Sequence, residues 1–307
     1  MNPMKKSKFY PQVVLLLDVL PYIARESCFS LKGGSAINLF VRDFPRLSVD
    51  ADLTYLGDES REEALQKTEN ALNRIKFDLE KQLGARVTPS SRQSQGTDIK
   101  LFVSRDGVQV KIEANPVLRG VLYPFKVMPL KSKVSSEFDK EIDVQISSMP
   151  DLYGGKIAAA LDRQHPRDLF DVKLLLENEG ISKDIMTGFL VYLMCHKRPP
   201  NELLKPTLQD QSALFDLDFK GMTNIAFDYA DFVKTREVLI EEINSNLNGD
   251  DKKFLLLFFD GKPNWNLFRE SNAQKLPAIK WKLINLNKLD SAKKTAQIES
   301  LKSIFQN

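Results

Sequence analysis

LSVDADLTYL, residues Leu47 to Leu56, alternates apolar and polar side chains with a period of two, the pattern of a half-buried strand. On such a strand Ser48, Asp50 and Asp52 share one face, and Val49, Ala51 and Leu53 take the other. Two carboxylates about 7 Å apart along one face repel each other. A hard divalent cation removes that penalty, and an all-oxygen donor set suits Mg²⁺. Alone, Asp-x-Asp reads equally well as a solvated acidic strand face, so the flanking segments decide between the two.

Upstream, FSLKGGSAINLFV (Phe29 to Val41) passes from a short strand through Gly33 and Gly34 into a helix expected to begin near Ser35. Paired glycines let the backbone approach a ligand closely, and the following helix N-terminus offers N–H groups, joined by the Ser35 hydroxyl, to a phosphate. A tight turn with a serine N-cap is the plainer alternative. Downstream, Val108 to Ala114 alternates so that Gln109, Lys111 and Glu113 oppose the apolar face. Glu113 ends that strand, where it is placed to reach a metal or to deprotonate an attacking hydroxyl; an ordinary exposed glutamate is the alternative.

A further constellation is DLYGGKIAAALDRQHPRDLFDV, Asp151 to Val172. Lys156 has Leu152, Tyr153, Ala159 and Ala160 as helical neighbours, and an ammonium on a small apolar face calls for a counter-charge such as an NTP phosphate. Pro166 opens the next helix and sets Arg167, Asp168 and Asp171 in its first turns. For Asp168 a simple complement to the helix dipole is the plainer alternative. Asp171, among Phe170, Val172, Leu174 and Leu175, requires a partner such as Lys156 or Arg167, and a purely structural ion pair stays open.

Elsewhere, helices are expected over Pro11 to Ser27, with Pro21 as a break, and over Glu59 to Leu83. Strands are expected over Ala85 to Val87, Ile99 to Ser104 and Ile142 to Ile146. Arg105-Asp106-Gly107 forms a hairpin turn, and Thr88 to Thr97 reads as a loop. Helical spacing then dominates over Asp151 to Arg163, Pro166 to Asn178 and Ser182 to His196, and again after Arg198-Pro199-Pro200, the expected boundary between domains 1–198 and 199–307. Strands early and helices late imply an α/β (α+β) half followed by a helical half.

A net charge of +3 over 307 residues is too small to point to nucleic acid. The segment from Lys262 onward, however, sets nine Lys or Arg against three acids and interleaves Trp265, Phe268, Trp281 and Phe305. That composition suits a polyanion, or equally a solvated basic face. Cys28 and Cys195 lie in apolar contexts and read as inert core residues. His165 and His196 lack triad partners and read as structural. Neither a cleavable leader nor an apolar run of about 20 residues is expected, which places the chain in the cytoplasm and off the membrane.

LKGGSAINLF, LSVDADLTYL, KIEANPV and GGKIAAALDRQHPRDLFDV together resemble, over residues 30 to 180, the AbiEii/AbiGii-type nucleotidyltransferase toxins of the polymerase-beta-like superfamily, which are related to mycobacterial toxins that modify tRNA acceptor ends. The resemblance implies a polymerase-beta-like core with a mixed sheet. It implies that Gly34 and Ser35 hold the NTP phosphates, with Lys156 and Arg167 as further nucleotide-binding residues. Asp50 and Asp52 become the ligands of Mg²⁺ (or Mn²⁺), Glu113 the third acidic position, which is often Asp in relatives, and Asp171 the acidic partner after the Arg-Asp pair. It implies a toxin of a bacterial toxin–antitoxin or abortive-infection system that uses an NTP, GTP or CTP among them. The expected acceptor is RNA, at the 3′ end of tRNA, and the expected partner a separately encoded antitoxin. Transfer to a protein or small-molecule hydroxyl is the alternative enzyme, and a non-catalytic NTP-binding interaction protein the alternative class.

Overall fold

The computed structural model describes residues 3–90 and 99–306. They divide into two compact units, Met1–Ser148 with Phe219–Ala226, and Met149–Asp218 with Phe227–Asn307. The division falls at Ser148, where strands give way to helices, and not at Arg198. The turn at Arg198-Pro199-Pro200 lies inside the second unit, because the helices before and after it pack on one another.

The first unit is built on one mixed sheet of seven strands. They are β1 (Phe29–Lys32), β2 (Asp50–Tyr55), β3 (Arg86–Pro89), β4 (Ile99–Arg105), β5 (Val108–Ala114), β6 (Lys126–Pro129) and β7 (Asp143–Ile146). Their order is β3-β4-β5-β2-β1-β7-β6, with β2–β5 and β1–β7 parallel and the remaining pairs antiparallel. Ala51 and Leu53, Val110 and Ile112, and Leu101 and Val103 are buried on the face covered by α1 (Tyr10–Ala24) and α3 (Arg61–Gln82). The intervening polar residues therefore look the other way.

Each strand expected from periodicity forms, β5 with the expected bounds and the others with ends shifted by at most three residues. The hairpin between β4 and β5 turns on Asp106 (φ 52°) and Gly107 (φ 77°), both left-handed as a two-residue turn requires. The helix α1 runs through Pro21 without ending there. The helix after β1 starts at Gly33, two residues before Ser35, as α2 (Gly33–Ala36), and continues as a π-helical turn over Ile37–Val41. Of the expected loop, Thr88 and Pro89 belong to β3, and 91–97 lies outside the described residues. The segment 219–226 returns to this unit. Leu47 N–H donates to the Met222 carbonyl at 2.7 Å and the Thr223 hydroxyl to the Pro45 carbonyl at 2.8 Å, which fixes the approach to β2.

After α4 (Ser132–Phe138), the second unit is helical: α5 (Met149–Arg163), α6 (Pro166–Asn178), α7 (Lys183–Cys195), α8 (Pro200–Leu204), α9 (Ser212–Asp218), α10 (Tyr229–Ser245), α11 (Gly249–Phe259), α12 (Pro277–Asn287) and α13 (Ser291–Phe305). Helices α5 and α7 touch backbone to backbone. A Cβ on Gly154 would lie 2.4 Å from the Gly188 carbonyl carbon, and one on Gly188 would lie 2.2 Å from the Pro150 oxygen. Neither neighbour is a flexible side chain, so Gly188→Ala must separate the helices. We expect a loss of about 2–3 kcal/mol, the upper range for overpacking, read as a lowered thermal midpoint. An unchanged midpoint would mean that the two helices are free to part.

Candidate active site

The turn after β1 is shaped around three side chains, one on β2 and two on the segment leading into it. Gly33 adopts φ +70°, and a Cβ there would sit 2.5 Å from Asp52 Oδ2. A Cβ on Gly34 would meet Arg46 Nη2 at 2.7 Å and Ser48 Oγ at 2.8 Å. The glycines thus allow close approach, as their types suggest, with Asp52, Arg46 and Ser48 as the neighbours approached. Ser35 departs from expectation: it is 1 % exposed, and its hydroxyl donates to the Asp50 carbonyl at 2.5 Å and lies 3.0 Å from Ser48 Oγ. That hydroxyl ties the turn to the start of β2, which explains why a small donor stands there.

Gly33→Ala adds both a left-handed strain and a collision with the Asp52 carboxylate. We expect about 1 kcal/mol of lost stability. Transfer activity should fall roughly tenfold to a hundredfold, the cost of moving a reacting group by about 1 Å. Full activity in the alanine variant would show that the Asp52 position is not critical.

Across the sheet, register gathers charge on one face. Asp52 stands opposite Lys32 on β1 and Glu113 on β5, Asp50 stands opposite Lys111, and Glu113 stands opposite Lys100 on β4. Lys111 Nζ lies 2.5 Å from Glu113 Oε2 and Lys100 Nζ 3.1 Å from Glu113 Oε1. Burial works against the Lys111 charge. The hydrogen bond to Glu113 and the negative charges of Asp50, Glu113 and Asp52 outweigh burial and hold its pKa above the ordinary lysine value. Among the described residues no three His, Cys, Asp or Glu side chains converge closely enough to hold a metal by themselves. Glu113, expected as the third acid, is held by the two lysines. Lys32, Lys100 and buried Arg46 carry no role in the sequence reading, and Lys111 only its place beside Glu113 on the polar strand face, although period-two counting back from Asp50 reaches Arg46.

The second unit carries a separate ionic cluster. Lys156 (6 % exposed) bonds Asp168 Oδ1 at 2.8 Å and Asp171 Oδ2 at 3.0 Å, and Asp171 is 0 % exposed. Arg163 grips Asp168 with Nε–Oδ2 at 2.6 Å and Nη2–Oδ1 at 3.0 Å. Burial alone would raise the Asp168 pKa; Lys156 and Arg163 hold it far below the usual carboxylate range. Asp168 is therefore an ion-pair member rather than a mere helix-dipole complement, and no phosphate is needed to satisfy Lys156. Of the two partners considered for Asp171, Lys156 provides the contact at 3.0 Å. Arg167, half-buried, lies 3.4 Å from His165 Nε2. His165 caps α6, its Nδ1 accepting from Arg167 N–H at 3.1 Å, and burial with the Arg167 charge lowers its pKa to about 4.

Much of the basic C-terminal segment is committed internally. Trp265 and Phe268 pack on Phe254, and Arg269 pairs with buried Asp251. Lys282 donates to the His196 carbonyl at 2.6 Å, Lys262 pairs with Asp260 and Lys302 with Glu299. Lys280, Lys288 and Lys293 remain on the exposed surface. Buried Cys195 and half-buried Cys28 are both pushed by burial to raised pKa values, about 12 and about 11. Among the described residues no helix is long and apolar enough to cross a membrane.

Comparison with known proteins gives a consistent picture. The family described as nucleotidyl transferase AbiEii toxin, type IV TA system, matches residues 14–284. Among solved structures, MenT4, a nucleotidyltransferase toxin from Mycobacterium tuberculosis H37Rv, superposes with a TM-score of 0.62 at 12 % identity, covering 93 % of this chain and 96 % of that one. At that identity the likeness establishes the fold. No curated protein matches the chain.

Proposed function

The chain belongs to the AbiEii nucleotidyltransferase toxin family of type IV toxin–antitoxin systems, and from that premise we propose that Asp50 and Asp52 are its catalytic carboxylates, joined over a divalent cation beside the Gly33–Gly34 turn. The observation that carries this is the laying of Gly33 directly against Asp52 Oδ2, with Asp50 on the same strand face. Hard oxygen donors of this kind fit Mg²⁺ or Mn²⁺, and Mg²⁺ characteristically takes only one or two carboxylates from protein while phosphates and water complete its shell. Bound there, the ion would neutralise charge on the NTP phosphates and polarise them.

The chain's own groups do the rest of the proposed work. Gly34 and Ser35 present first-turn backbone N–H groups toward phosphate, while the Ser35 hydroxyl fixes β2. Glu113 reaches an acceptor hydroxyl only by leaving its lysines, so a base role would require it to exchange partners. Lys156 and Arg167 are the further residues proposed for nucleotide contact, Lys156 only by giving up a carboxylate. Asp171 then serves to hold Lys156.

The acceptor we propose is RNA, the 3′ end of tRNA, with the exposed lysines of the C-terminal helices as the groups suited to its phosphates, and the partner a separately encoded antitoxin. Incubation with each labelled NTP, Mg²⁺ and bulk tRNA should place label on RNA, and Asp52→Asn should not. Label confined to a protein or small-molecule fraction of lysate would move the acceptor there. Absence of label from every fraction, with NTP still bound, would leave the non-catalytic reading.

A further inference from the structure

Three lysines share the sheet face with the three acids, and their register is specific. Lys111 is opposite Asp50 across the parallel β2–β5 pair, and it sits two residues before Glu113, which is opposite Asp52. Lys111 Nζ reaches Glu113 Oε2 at 2.5 Å while Lys100, from the other side, reaches Oε1 at 3.1 Å. Both oxygens of the third carboxylate are thereby engaged by ammonium groups. A divalent ion drawing on all three acids would have to displace Lys111 or sit beside it at close range, where like charges cost several-fold to a hundredfold in affinity.

We propose that Lys111 is the resident counterion of this acidic face. Its ammonium takes the neutralising place that a second divalent cation would otherwise fill, so that Asp50 and Asp52 hold a single ion and Glu113 stays out of the metal shell. Lys111 is in this sense a positioning residue: it acts through Glu113 and through the net charge of the face. The inference rests on the assignment of Asp50 and Asp52 as metal ligands, and its test separates the two.

Mn²⁺ binding, with no nucleotide present, is counted by electron paramagnetic resonance and titration calorimetry on the full chain. Wild type should bind one Mn²⁺, and Asp52→Asn should lose it. Lys111→Gln should bind a second ion, or bind the first about tenfold tighter or more, because a nearby positive charge is gone and Glu113 Oε2 loses its ammonium contact. Lys111→Arg, which keeps the charge and the fold, should bind as wild type does; a thermal melt of both variants confirms folding. Two ions in wild type, or an unaltered count and affinity in a folded Lys111→Gln, would overturn the counterion role and leave the carboxylate pair standing. If Lys111→Gln fails to fold, a loosened or two-ion Lys111→Arg overturns it equally. Binding that persists in Asp52→Asn, or none in wild type, would instead bring down the carboxylate assignment and the counterion with it.

Discussion

Asp52→Asn is expected to lower nucleotide transfer by roughly 10³-fold while the protein stays folded. The substitution is isosteric, so the collision-free fit against Gly33 is preserved. What disappears is one negative charge of the pair proposed to hold the cation, and removal of a principal electrostatic element of a site costs on the order of 10²–10³-fold or more. The side chain is part-exposed and faces both Lys32 and Asp50 across and along the sheet. The stability change should therefore stay within about 1 kcal/mol, the range of exposed charge pairs. Glu113→Gln supplies the contrast: with both oxygens already on lysines, its loss should be closer to tenfold. A transfer assay with all four NTPs, alongside thermal melts, reads both. Equal losses for the two variants would show that Glu113 enters the shell as Asp52 does, and an active Asp52→Asn would end the catalytic assignment.

The second large effect is on stability. Lys156→Met removes the ammonium shared by Asp168 and Asp171. Asp168 keeps Arg163, while Asp171, fully buried, loses its ammonium contact at 3.0 Å. Breaking a buried pair in this way costs about 3–5 kcal/mol, or a fall of roughly 6–20 °C in thermal midpoint for a unit of this size. The pH dependence should divide by sign. In wild type the depressed Asp168 pKa contributes stability that is complete above the ordinary carboxylate pKa, about 4, and is lost as pH falls below it. In Lys156→Met the ammonium that favours charged carboxylates in this cluster is gone, so the difference in stability from wild type should narrow as the pH is lowered toward 4. Lys156→Met combined with Asp171→Leu should regain most of it at neutral pH, since apolar replacement of both partners is often neutral. If that double variant is stable yet still binds nucleotide as wild type does, Lys156 has no contact with the NTP. If the single variant melts unchanged, the cluster contributes nothing.

Period-two patterning was enough to place β2, β4 and β5 and to put Asp50, Asp52 and Glu113 on one side of the sheet, because one buried face makes the alternation unambiguous. It could not foresee β6, a four-residue edge strand exposed at three positions, where no face is consistently buried. Nor could it foresee α4, whose SKVSSEF buries only Val134. Asp171 announced a buried partner through its apolar neighbours, and Lys156 is that partner. Arg163, five residues before Asp168 and across the interhelical turn, carried no such signal. The fate of the Ser35 hydroxyl was hidden for another reason: a serine after two glycines looks alike in sequence whether it faces a ligand or the Asp50 carbonyl.

The passage of the chain between its units at 148/149, 218/219 and 226/227 has a practical corollary for anyone wishing to dissect the protein. Neither half can be liberated by a single cut. A fragment stopping at Ser148 would lose the Met222 and Thr223 groups that grip Leu47 and Pro45, and with them the splint that holds the entrance to the acidic strand. Supplying 219–226 as a separate peptide, or rejoining it by a short engineered linker, is the route to an isolated first unit, and deletion of that stretch should loosen the approach to β2.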